Sequence, residues 1–296
     1  MSTLKVALLG TGLMGLPMAK CLLKAGFPVT AWNRTRSKAE PLAELGARIT
    51  DTAAEAVADA DVIITMLENG AAVTDVLFGQ GVAKAARPGA TVADMSSIPP
   101  SLARDHAARL REIDINHVDA PVSGGTVGAE QGTLAIMAGG DEAVIARLEP
   151  VFKAMGRPTR VGPHGSGQLS KLANQTIVAV TIGAVSEALL LAAAGGADPA
   201  AVRQAIRGGF AESRILELHG RRMIERDFQP GGLVHIQVKD LDTILATAKD
   251  LNLTLPLTQN VRDRFVELRD KLGGSHLDHS ALLLQLEAMN PPHKVG

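Results

Sequence analysis

Apolar residues follow two rhythms along this chain, and the change falls near residue 162. Before it, short β-branched runs alternate with alanine-rich stretches whose apolar positions recur every three or four residues. The run Leu4-Lys5-Val6-Ala7-Leu8-Leu9 predicts a buried strand. Leu13, Leu16, Ala19, Leu22 and Leu23 then form one helical stripe that stops at Gly26. Further strands are expected at Val29–Trp32, Ala47–Ile49, Asp61–Met66, Thr91–Asp94, His117–Ala120 and Thr133–Ala138. Gly139-Gly140-Asp141 ends the last of these and caps a helix. This alternation predicts an α/β fold with a doubly wound parallel sheet. From His164 onward strand signals fade. Leu169–Ala194 predicts a long helix, and later helices break at Gly195-Gly196, Gly208-Gly209, Pro230-Gly231-Gly232 and Gly273-Gly274. The turn Val161-Gly162-Pro163-His164-Gly165 divides an α/β domain over 1–162 from an all-helical domain over 163–296, with the active site expected in the cleft between them.

Composition narrows the classes. At 46% hydrophobic residues the chain can build real cores, and a net charge of −1 gives no electrostatic case for nucleic acid or anionic membrane as partner. Aromatic residues make up 2%, with no tyrosine, which counts against a base-stacking surface and excludes a tyrosine acid. Cys21 is the single cysteine, so no internal disulfide forms; within a helical stripe it reads as core filler, and a reducing, cytoplasmic compartment is expected. Met1-Ser2-Thr3 leads directly into the first strand, so no signal peptide is expected. The apolar stretch Ile177–Ala194 contains Thr181, Ser186 and Glu187 and reads as a buried helix, not a membrane span.

The first strand runs into Gly10-Thr11-Gly12-Leu13-Met14-Gly15, a G-x-G-x-x-G turn that opens a helix. Gly10 permits the tight turn, Gly12 lets backbone approach a pyrophosphate, and Gly15 lets helix and strand pack closely. Helix N-terminal N–H groups then face the phosphates. Strand, turn and helix in that order predict a Rossmann-type dinucleotide domain. After the second strand an acidic residue would normally bind the ribose 2′-hydroxyl of NAD. Here stand Asn33, Arg34 and Thr35, followed by Arg36 and Lys38, a set suited to a 2′-phosphate. The cofactor is expected to be NADP, with NAD possible. A second glycine motif, Asp119-Ala120-Pro121-Val122-Ser123-Gly124-Gly125, offers backbone N–H groups beside a hydroxyl, either a carboxylate nest or a plain turn. Lys171 and Asn174 lie three apart, on one face of an otherwise apolar helix.

Together these segments resemble the β-hydroxyacid dehydrogenase family. Gly10–Ala19 reads G-x-G-x-M-G-x-P-M-A, and Asp119–Gly125 reads D-A-P-V-S-G-G. Gly132–Gly140 reads G-T-L-x-I-M-x-G-G, Lys171–Asn174 reads K-L-x-N, and Lys239–Leu241 reads K-D-L. The five occur in order across nearly the whole chain. Ser186-Glu187-Ala188-Leu189, Ala205–Gly209, Phe228–Gly231 and Asp278–Leu282 are most similar to the semialdehyde-reducing members.

The resemblance implies hydride transfer between NAD(P) and a small carboxylate-bearing hydroxy acid or its semialdehyde. It makes Lys171 the proton donor in reduction, with Ser123, Gly124 and Gly125 on the substrate carboxylate and Asn174 on the reacting oxygen. Gly10 to Gly15, Asn33, Arg34, Thr35, Met66, Leu67 and Ser97 are assigned to the cofactor. Lys239 is a second cation touching cofactor or substrate; Asp240 could equally be a solvated helix charge and is given no part in the chemistry. A homodimer or homotetramer is expected, since Leu169–Ala194, Leu251–Leu257 and Ala281–Leu286 hold more apolar surface than one small helical domain covers. No metal site is expected, because the eight histidines show no H-E-x-x-H or Cys/His spacing. Gln237 stands where these reductases carry histidine, Phe210-Ala211-Glu212-Ser213 where leucine and glycine flank the alanine, and Leu284-Gln285-Leu286-Glu287 is aliphatic where aromatics are common. These departures leave the aldehyde open among semialdehyde reductases, 3-hydroxyisobutyrate dehydrogenases and glyoxylate/succinic semialdehyde reductases. Lys171 argues against an imine reductase, and the Ser123, Lys171 and Asn174 set against a non-catalytic scaffold.

Overall fold

The computed structural model describes residues 3–296. Contacts divide the chain into two compact units, Met1–Lys171 and Leu172–Gly296. Among the described residues the first holds nine strands: β1 (Val6–Leu9), β2 (Val29–Trp32), β3 (Arg48–Ile49), β4 (Val62–Thr65), β5 (Thr91–Asp94), β6 (Asn116–Asp119), β7 (Val122–Ser123), β8 (Leu134–Gly140) and β9 (Gly156–Gly162). Its helices are α1 (Gly15–Lys24), α2 (Ala53–Val57), α3 (Gly70–Thr74), α4 (Val82–Ala85), α5 (Pro100–Arg111), α6 (Gly125–Gln131) and α7 (Glu142–Met155). Helix α8 (Ser166–Ala194) starts in the first unit and continues into the second. There follow α9 (Pro199–Ala205), α10 (Arg214–Glu225), α11 (Val234–Asp250), α12 (Pro256–Asp270) and α13 (Leu282–Met289).

Strand order is β3-β2-β1-β4-β5-β6-β8-β7, with β9 beside β8. Every pair from β3 to β6 is parallel. Side chains alternate between faces, so Val6 and Leu8 enter one core with Met18, Leu22 and Phe152, while Ala7 and Leu9 enter the other with Val57, Ala103 and Leu110. Two cores, one per face, are what a doubly wound sheet requires.

The sheet departs from a purely parallel one beyond β6, where β8 runs antiparallel to both β6 and β7. The connection is only the seven-residue α6, with Gly124 at its N-cap and Gly132 at its C-cap, too short for a parallel crossover. Strand β9, Gly-Arg-Pro-Thr-Arg-Val-Gly, carries no apolar run and so gave no strand signal in the sequence.

In the second unit one core gathers Ile182, Val185 and Leu189 of α8, Leu216 and Met223 of α10, Val238 and Leu241 of α11, and Phe265 of α12. Helix α8 is buried along one stripe only. Its most apolar 18-residue window is 33% buried, and the helix is long and apolar enough by composition to cross a membrane. Ile177 and Leu191 stand exposed on it, as do Leu251, Leu253 and Leu257 farther on. Ala281, Leu282 and Leu283 are core residues, so that segment does not add the apolar surface expected of it.

Candidate active site

Leu9 is in register with Trp32 and Thr65, and Thr65 with Asp94. Gly10, Asn33 and Met66 therefore leave the same carboxyl edge of the sheet, and Leu67 and Ser97 follow within two or three residues. This edge lies at β1 and β4, where the order reverses and doubly wound sheets bind ligands. Gly10 has φ +105°, and a Cβ there would strike the Met66 carbonyl; a Cβ on Gly15 would strike the Gly10 carbonyl. A Cβ on Gly12 would meet nothing. The chain's own packing does not demand that glycine, but a ligand approaching the backbone does. Thr11 Oγ1 is buried without a hydrogen-bond partner, and Met14, at the N-cap of α1, supplies no side-chain cap. A buried orphan hydroxyl, uncapped helix N–H groups and an open turn fit a dinucleotide pyrophosphate.

Asn33 does more than wait for a ribose. Its Oδ1 accepts the Thr11 N–H at 3.0 Å and its Nδ2 donates to the Thr35 carbonyl at 2.9 Å, bracing the glycine turn against the loop after β2. Arg36 is committed to Glu40 and Asp51. Arg34 is exposed, so of the two arginines it is the one placed to meet a phosphate.

The remaining motifs of the first unit converge on two side chains that sequence reasoning missed. Asp119, fully buried, accepts the Gly165 N–H at 2.8 Å and the Gln168 N–H at 2.9 Å. Gln168 donates to the Ser96 carbonyl at 2.8 Å and accepts the Ile98 N–H at 3.2 Å. The loop bearing Ser97, the segment leading to Ser123, and the first turn of α8, which precedes Lys171, are thereby tied together. Gly167 permits this closeness, since a Cβ there would strike the Asp119 and Met137 carbonyls. At the second glycine pair Gly124 has φ +140° and Gly125 φ +64°, conformations that a side chain would strain. Burial pushes the carboxyls of both Asp94 and Asp119 up to about 6, against the pull of their hydrogen bonds.

Asn174 lies one turn beyond Lys171 on α8 and belongs to a network of the second unit. Its Nδ2 donates to Gln175 Oε1 at 2.9 Å, Gln175 Nε2 donates to Asp240 Oδ2 at 2.7 Å, and Lys239 Nζ stands 3.2 Å from Asp240 Oδ1. Asp240 is only 3% exposed. It is not a solvated charge: it accepts from Gln175, the neighbour to which Asn174 donates, and pairs with Lys239. Gln237 is buried too, with Oε1 3.1 Å from Nδ1 of His279, so the unusual glutamine faces the Asp278–Leu282 segment. Cys21 behaves as filler: its Sγ is 3.3 Å from the Ala129 carbonyl, and burial raises its pKa.

Comparison with known proteins identifies the family and its fold. Residues 5–166 match the NAD binding domain of 6-phosphogluconate dehydrogenase, and residues 165–286 match the NAD-binding domain of NADP-dependent 3-hydroxyisobutyrate dehydrogenase. The chain is 47% identical over 288 residues to 2-hydroxy-3-oxopropionate reductase of Escherichia coli (strain K12), covering 97% of this chain and 98% of that protein. Among solved structures, 3-hydroxyisobutyrate dehydrogenase of Mycobacterium tuberculosis with L-serine superposes with a TM-score of 0.88 at 32% identity, covering 96% and 99% of the two chains. 3-Hydroxyisobutyrate dehydrogenase from Salmonella typhimurium gives 0.86 at 31%, covering 95% and 99%. The chain belongs to the 3-hydroxyisobutyrate-type, or β-hydroxyacid, dehydrogenase family of NAD(P)-dependent oxidoreductases.

Proposed function

We propose that this enzyme reduces a small carboxylate-bearing semialdehyde with NADPH, and that tartronate semialdehyde (2-hydroxy-3-oxopropanoate) is its substrate. The observation that carries the reading is the 47% identity, over nearly the full length of both chains, to 2-hydroxy-3-oxopropionate reductase. When bound, the nicotinamide supplies the hydride. The chain's own residues do the rest. Ser123 with the Gly124 and Gly125 backbone holds the substrate carboxylate, and Asn174 hydrogen-bonds the carbonyl oxygen. Lys171 delivers the proton to that oxygen and offsets the negative charge that grows there. Lys239 contributes a second cation to cofactor or substrate. Exposed Arg34, beside an amide where NAD-specific folds place a carboxylate, favours NADPH over NADH. Exposed apolar residues on α8 favour a homodimer or homotetramer, and the lone cysteine favours the cytoplasm.

A second reading has its own support. Both 3-hydroxyisobutyrate dehydrogenases superpose over nearly the whole chain, and Gln237 departs from the histidine common in the reductases. Initial rates of NADPH oxidation with tartronate, methylmalonate and succinate semialdehydes and with glyoxylate decide between them. Tartronate semialdehyde should give the highest kcat/KM; a higher value with any other member of the panel reassigns the substrate.

A further inference from the structure

His117 and Asp119 alternate with Val118 along β6, so they share the face of the sheet opposite Val118. His164 comes from the turn that leads into α8. Each of the three offers one ligand atom, and these atoms all lie within 4.8 Å of one another. His117 is 3% exposed, and neither ring nitrogen has a hydrogen-bond partner; Nδ1 of His164 lacks one as well. A neutral imidazole carries one N–H and one lone pair, and native interiors rarely leave both unmet. The two rings face each other at 5.8 Å between centroids and 47° between planes. Packing alone gives no reason for such a pair.

A second trio, His219, Asp278 and His279, is equally close but already spoken for. Asp278 accepts from Arg222, from the Gly231 and Gly232 N–H groups and from Ser280, and the two histidines bond each other at 3.2 Å. Only the first trio keeps a fully buried ring with both nitrogens unused.

We propose that His117, Asp119 and His164 bind one zinc ion or a similar divalent transition metal. Two imidazole nitrogens and one carboxylate oxygen suit zinc, whereas magnesium and calcium prefer all-oxygen sets. Zinc–nitrogen bonds of about 2.0–2.1 Å put two ligand atoms on one tetrahedral ion roughly 3.3 Å apart and two ring centroids roughly 5 Å apart. The trio thus needs a closure on the order of 1 Å. The Gly165 and Gln168 N–H groups already orient the Asp119 carboxylate, as outer-shell partners orient metal-binding carboxylates. Arg111 and Asp141 flank His164 with opposite charges, so neither sign dominates there. The ion would pin the lead-in of α8 to β6, seven residues ahead of Lys171. Spacing rules miss the site because its ligands come from two distant segments.

The test uses untagged, chelator-stripped full-length protein titrated with cobalt(II), then zinc(II), with the visible absorption of cobalt and calorimetric stoichiometry as readouts. One ion per chain is expected, with zinc displacing cobalt, magnesium failing to, and the melting temperature rising with zinc. His164→Ala should weaken binding at least about a hundredfold, beyond the about 10–100-fold typical of losing an outer-shell partner. His219→Ala should leave binding unchanged. His117→Gln should act like His164→Ala; if it does not fold, the His164 variant decides, since that ring is half-buried. No stoichiometric cobalt uptake by the wild type, or uptake that survives His164→Ala, overturns the proposal.

Discussion

Gln175 and Asp240 join two helices of the second unit through a short hydrogen bond, 2.7 Å from Nε2 to Oδ2, and Asp240 also holds Lys239. Asp240→Ala removes one acceptor from the half-buried Gln175 amide and one from the Lys239 ammonium. The expected cost is about 1–3 kcal/mol, with Lys239 screened by its partial exposure. The melting temperature should fall by several degrees, and Asp240→Asn, which keeps an acceptor, should fall less. A neutral Asp240→Ala would return this aspartate to the status of a surface charge.

The proposed function puts Arg34 on the 2′-phosphate. Removing a charged hydrogen-bond donor costs about 1.5–3 kcal/mol, so Arg34→Ala should lower kcat/KM for NADPH by about 10- to 100-fold and leave NADH little changed. Adding Asn33→Asp should shift preference further toward NADH. The added carboxylate can still accept the Thr11 N–H, so the glycine turn keeps its brace. Comparing kcat/KM for both cofactors decides it, and a wild type that already prefers NADH contradicts the assignment.

Local chemistry was legible in the sequence and distant chemistry was not. The turn from Gly10 to Gly15 declares itself because strand, glycines and helix are contiguous, and the two cores fit the unbroken apolar runs of β1 and β4, the mark of strands buried on both faces. The clamp at Asp119 joins residues 46 and 49 positions away, and Gln168 reaches back 70 and 72. No spacing rule reports such pairs. The sequence left Asp240 undecided for the same reason, since its partner Gln175 lies 65 positions earlier. The antiparallel turn of the sheet at β8 depends on how short α6 is, and composition does not reveal that.

His106 is fully buried on α5, its Nε2 2.8 Å from Thr74 Oγ1. Burial lowers its pKa to about 4 from the usual 6.5, outweighing neighbouring Asp105, while Arg109 adds to the fall. Below pH 6.5 the unfolded chain takes up this proton and the folded chain does not, so stability is lost as pH falls from 6.5 toward 4. Between pH 7 and 4.5 its share is about 2–3 kcal/mol. His106→Gln should remove that share from the acid slope in urea unfolding. An unchanged slope would show that His106 titrates alike in both states.

Exposed Leu191 on α8 tests assembly away from the candidate catalytic residues. Sedimentation at micromolar concentration should give a dimer or tetramer, and Leu191→Glu should shift it toward smaller species. A wild-type monomer contradicts the assembly proposed here.

The central claim is that Lys171 delivers the proton. Lys171→Ala should reduce kcat by about two to four orders of magnitude, the range for a positioned acid, while the Kd for NADPH stays nearly unchanged. Lys171→Arg separates charge from acidity, because guanidinium keeps the positive charge but holds its proton too tightly to give it up. The most direct measurement is single-turnover NADPH oxidation by wild type, Lys171→Ala and Lys171→Arg with saturating tartronate semialdehyde. Both variants should be slowed to a similar, large extent. An arginine variant that turns over near the wild-type rate would mean that the proton comes from another group, and the mechanism would fall.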